Sequence, residues 1–133
     1  MKKYAFMLAN CSCFLALYLV SRYFLQDVYL PDWTRRNAYL CVWIAPIVFD
    51  FLELHIRSVC ITLGNLAGVA VGQIVGDIIV KLNAAKITPA TPPGQAAQLR
   101  SHPGFFLWLG TILVFYIVGV LIEKKRKAAG TKS

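Results

Sequence analysis

Six side chains that could do chemistry stand within or beside apolar runs, where polar groups are costly: Asp50, Glu53 and His55 close together, and Asn65, Gln73 and Asp77 along the following run. Asp50 and Glu53 are three residues apart and share one face of a helix, with His55 just beyond. Carboxylates and an imidazole carry protons and bind ions, so this cluster is a candidate ion or proton contact. A metal shell would require a second group of Asp, Glu or His, and no metal is assigned. A plainer chemistry competes: Glu53 precedes Arg57 by four residues, the spacing of a membrane-edge ion pair, which leaves Asp50 in need of a partner. His102 lies in a later loop and could join the cluster only from the opposite membrane face.

Asn65, Gln73 and Asp77 follow a four-residue step that includes Val69. They suit either interhelical hydrogen bonds, worth about 0.6 kcal/mol each, or the polar lining of a route for a solute or ion. Lys81 follows Asp77 by four residues and offers it an ion pair near the interface. The chain has no phosphate-binding loop, zinc-binding helix motif or serine-nucleophile motif. No catalytic residue or cofactor is therefore assigned, and an enzyme is disfavoured.

The helix carrying this stripe also holds Gly64, Gly68, Gly72 and Gly76. At about 100° per residue each four-residue step advances about 40°, so the glycines and the polar groups form adjacent stripes that wind together. Leu63, Ala67, Val71, Ile74 and Ile78 take the remaining, lipid-facing side. Small residues at this spacing let helix backbones approach closely in lipid, which predicts a glycine-zipper helix crossing its partner in the right-handed sense. The stretch 64–78, small residues at every fourth position ending in Gly-Asp, is similar to part of the substrate-binding membrane subunits of energy-coupling-factor transporters. Those subunits have more helices than this chain offers, and the likeness extends no further.

Apolar segments at 4–25, 38–54, 59–80 and 104–122 predict four spans, each close to the ~30 Å hydrocarbon layer at 1.5 Å per residue and the second only just sufficient; three crossings, with the second segment re-entrant or interfacial, are the alternative. A polar stretch at headgroup level, 26–37, joins the first two. A tight turn near 54–58 joins the next two; without it one apolar helix would outrun any bilayer. An exposed Pro-rich connection, 81–103, precedes the last span, and a basic tail, 123–133, follows it. Apolar residues make up 58% of the 133-residue chain and mean hydropathy is +0.60, too apolar for a soluble domain of this size. The expected fold class is all-α, a polytopic integral membrane protein of about four transmembrane helices in a single membrane domain.

The net charge is +8, and five of the fourteen basic residues, Lys124, Lys125, Arg126, Lys127 and Lys132, gather behind the last span. Cations there anchor a helix end on anionic headgroups; no aromatic-interleaved basic domain accompanies them, so nucleic acid is not an expected partner. With Lys2 and Lys3 at the other end, four crossings place both termini in the cytoplasm, at a plasma or inner membrane. The first apolar run lacks a cleavage site and is expected to stay as an anchor. Cys11, Cys13, Cys41 and Cys60 lie in apolar stretches and read as core or lipid-facing residues.

These features suggest a small transport-related or transporter-associated subunit, embedded in membrane lipid and working as a homo-oligomer or with a membrane-protein partner. A holin-like pore former and a non-conducting assembly scaffold are the alternatives.

Overall fold

A computed structural model describes residues 2–37 and 39–130, with residues 2, 3 and 39 described through their backbone alone. Ala38, Lys132 and the side chains of Lys2 and Lys3, which figure in the expectations above, lie outside the described residues. Among these residues every regular element is a helix: α1 (Lys2–Tyr23), α2 (Tyr29–Asn37), α3 (Tyr39–Phe51), α4 (His55–Ala84), α5 (Pro93–Arg100) and α6 (Gly104–Gly130).

Three stretches are long and apolar enough to cross a membrane: Tyr4–Tyr23, His55–Ala84 and Pro93–Gly130. The fourth expected span is the shorter helix α3, whose 13 residues rise only about 20 Å. Helix α4, with 30 residues and no internal proline, rises about 45 Å and outreaches the predicted 59–80 segment at both ends. Helix α6 likewise continues past 122 to Gly130, because Glu, Lys, Arg and Ala are strong helix formers and no breaker intervenes.

Two predicted connections contain helices. In 26–37, Pro31 falls in the first turn of α2, where its missing N–H is no loss, and the Thr34 hydroxyl donates back to the Leu30 carbonyl at 2.9 Å. Asp32 pairs with both Arg35 and Arg36 one turn on. The hydrogen bond from Arg35 holds the Asp32 carboxyl below the usual carboxylate range and Asp32 raises Arg35 in turn, each against a cost from burial. In 81–103, Pro93 opens α5 at the position that tolerates it best.

The break between α3 and α4 is a Schellman turn without glycine. The Leu54 N–H donates to the Phe49 carbonyl at 2.8 Å and the Glu53 N–H to the Asp50 carbonyl at 3.1 Å. Glu53 occupies the left-handed position with φ 61°. The expectation that Glu53 shares a helical face with Asp50 and pairs with Arg57 therefore fails: Glu53 lies outside both helices, where helical spacing does not apply. Arg57 bonds Glu123 instead, Nε to carboxylate at 2.7 Å.

Helices α1 and α4 point one way and α3 and α6 the other. At one end Phe6 of α1 stacks on His55 of α4, and Arg57 meets Glu123 near the far end of α6. At the other, the start of α2 bonds Gln73 and the residues before α6 bond Asp77. The N-terminal part of α1 and the C-terminal part of α6 thus share one end of the bundle. Leu30, Val69 and Trp108 form a small buried cluster, with Leu17, Val42 and Ile112 against it. Leu63, Val71, Ile74 and Ile78 are exposed along one side of α4.

The four glycines of α4 are buried on the opposite side, Gly64 facing Phe115 and Gly68 facing Trp108 of α6. Gly72 is the tightest backbone approach: a Cβ there would stand 2.8 Å from the Gly104 carbonyl oxygen, which cannot move aside as a side chain would. At Gly76 a Cβ would overlap the His102 ring. The four cysteines are free thiols.

Candidate functional site

The polar groups collect at the two ends of α4, with one bond between. Midway, the Trp108 indole N–H donates to Asn65 Oδ1 at 2.9 Å, both side chains buried.

Toward the end of α4 the hydrogens are fixed by two backbone donors. The Gly104 N–H donates to His102 Nδ1 at 3.0 Å, so Nδ1 is the acceptor and the ring hydrogen sits on Nε2, facing Asp77 Oδ1 at 3.2 Å. From the other side the Leu30 N–H donates to Gln73 Oε1 at 2.7 Å, and Gln73 Nε2 donates to the same Asp77 oxygen at 2.9 Å. Leu30 and Gly104 open α2 and α6, where N–H groups have no partner inside their own helix. The network therefore caps two helices and ties both to α4. The expected partner of Asp77, Lys81, is replaced at the carboxylate by Gln73 and His102, although its charge still lies nearby.

At the start of α4, Asp50 is 1% exposed. One carboxylate oxygen accepts from Asn10 Nδ2 at 2.8 Å and the other faces His55 Nδ1 at 3.0 Å. A carboxylate oxygen that accepts here takes the hydrogen of His55 Nδ1, which leaves Nε2 as the acceptor nitrogen of the neutral ring. Asn10 also donates to Ser58 Oγ at 2.7 Å, and Ser58 Oγ donates to the Pro46 carbonyl at 2.9 Å. Three helices are thereby joined through one buried carboxylate.

Beside this network lies a cavity of about 550 Å³. Phe6, Leu54, Ile56 and Val59 supply apolar wall; His55, Glu53, Glu123, Arg126 and Lys127 supply polar groups. His55 both lines the cavity and touches Asp50, so it connects solvent-sized space to a carboxylate that is itself buried. No group of three metal-ligating side chains occurs among the described residues.

Asp50 and His55 come together as their sequence proximity suggests, while Glu53 stands apart on the cavity wall. Asn65 is separated from Gln73 and Asp77: it bonds Trp108 of α6, while Gln73 and Asp77 bond each other. Sequence reasoning missed Asn10, Ser58, His102 and Glu123 as partners. Asn10 was legible as a polar residue deep in an apolar run, and His102 as the residue two before a helix opening at Gly104. Comparison with protein-family models, curated proteins and solved structures finds no match for this chain.

Proposed function

We propose that this chain is a small transport-related membrane protein in which Asp50 and His55 make the contact with a transported proton or small cation. The observation that carries the reading is a carboxylate with only 1% of its surface exposed, reached from a cavity through a single imidazole. An ionisable group at membrane depth is costly and persists where it handles charge. A proton accepted at His55 Nε2 leaves Nδ1–H free to pass toward Asp50, and Asn10, itself anchored on Ser58, holds the carboxylate in place meanwhile.

Gln73 and Asp77 serve assembly in this reading, as does the glycine zipper of α4, which is occupied inside the chain by α6 and His102. Association with a second copy or another membrane protein would use the exposed apolar side of α4. Both termini are assigned to the cytoplasm, on the charge bias of the tail. The non-conducting scaffold remains the second reading, favoured by how much of the polar stripe is consumed in internal bonds.

The test is proton uptake into proteoliposomes under an imposed gradient. Wild type should conduct above protein-free vesicles, and Asp50→Asn, which keeps a hydrogen-bonding shape, should remove the activity without altering elution from a sizing column. Equal uptake by wild type and Asp50→Asn overturns the assignment.

A further inference from the structure

We propose that Asp50, the contact of the transport reading on which this rests, takes up protons and no metal cation, and takes them through His55. One carboxylate oxygen accepts from Asn10 Nδ2 at 2.8 Å and the other faces His55 Nδ1 at 3.0 Å, so both meet N–H donors. Ser58 Oγ is spent as well: it accepts from Asn10 at 2.7 Å and donates to the Pro46 carbonyl at 2.9 Å. A hard cation needs a shell of several oxygen ligands. At Asp50 it would meet hydrogens, and with 1% of the residue exposed there is little room for the water that could complete a shell.

A proton needs no such shell. It binds His55 Nε2 from the cavity that the ring lines, the Nδ1–H bond breaks, and that hydrogen forms an O–H bond on Asp50. The ring ends as the other neutral tautomer and the carboxyl ends uncharged, which removes the cost of burying its charge. Toward the middle of the bundle Phe14, one turn beyond Asn10 and 1% exposed, stacks on Trp43 with ring centroids 6.0 Å apart. This apolar layer lies on the side of Asp50 away from the cavity, and release to the far side waits on its parting. The charged groups that share the cavity wall with the ring are Glu53 of the α3–α4 turn and Glu123, Arg126 and Lys127 of α6, with Arg57 of α4 on Glu123. From α1 the pair meets Phe6 and Asn10, neither of which titrates.

The experiment is infrared difference spectroscopy of the full chain in phosphatidylcholine vesicles across a pH change, reading the carbonyl stretch of a protonated carboxyl. Asp50→Asn, which removes the group, and Asp50→Glu, which displaces its band, each assign the signal. Wild type should give an Asp50 band whose growth on acidification is unchanged when sodium or potassium chloride replaces choline chloride. After a pH jump His55→Gln, whose amide can still donate to the carboxylate, should gain the band about a hundredfold more slowly, with unaltered elution from a sizing column. Suppression of the band by sodium or potassium overturns the inference, as does equally fast protonation in His55→Gln or the lack of an Asp50 band at any pH. A cation-insensitive Asp50 band in a protein that conducts nothing upholds this inference and removes the transport reading. Uptake of sodium in place of protons, lost in Asp50→Asn, does the reverse.

Discussion

His102 meets Asp77 between two backbone donors that settle every hydrogen, whereas His55 meets Asp50 at the wall of a cavity, where no backbone donor meets its ring among the described residues. The residue types are the same and the surroundings reverse their use. At the His102 end the exposed member is the carboxylate, with 49% of its side chain accessible, and the ring is the buried one. At the His55 end the carboxylate is sealed and the ring is the accessible one. A charge held where water reaches it works as a cap; a charge held away from water and contacted through a titratable ring is a candidate for moving protons.

The largest effect that could break this contrast lies in the seam both ends depend on. Gly72→Leu forces a side chain against the Gly104 carbonyl and should abolish recovery of folded, monodisperse protein, while Gly110→Leu, where a Cβ meets nothing within 4 Å, should leave it unchanged. Sizing in detergent reads both.

Truncating the carboxylates comes next. Asp50→Ala leaves Asn10 and His55 facing an empty buried site and should cost about 3–5 kcal/mol. Asp77→Ala should cost about 1 kcal/mol, because the carboxylate it removes is already half accessible and its loss opens the site to water. Equal losses in denaturation from detergent would erase the difference between the ends. A smaller change of opposite sign is expected from Glu53→Gly, which relieves a left-handed residue and should stabilise the fold by about 1 kcal/mol in the same measurement. The finest test moves no stability at all: nitrogen-15 spectra of the neutral imidazoles should show hydrogen on Nδ1 in His55 and on Nε2 in His102. Matching tautomers would show that one of the two networks is wired differently.

Much of α4 was legible in advance because a four-residue repeat places its glycines and polar groups on faces that any helix must present, and Leu63, Ile74 and Ile78 are exposed where that wheel puts lipid. The α3–α4 break was legible only as a necessity of length. Its turn uses Glu53 in a conformation usually given to glycine, so no residue type announced it, and the misplaced Glu53–Arg57 pair followed from that. The partners of Asp50 and Asp77 were hidden for a different reason. Asn10 and His102 lie 40 and 25 residues away along the chain, and only the antiparallel return of the helices brings them near.

The most direct measurement sets Asp50→Asn beside Asp77→Asn in the same proteoliposome proton-uptake assay, with folding confirmed by sizing. Uptake lost in Asp50→Asn and retained in Asp77→Asn is the predicted result. Uptake retained in Asp50→Asn and lost in Asp77→Asn would contradict the account and move the proposed site to the other end of α4.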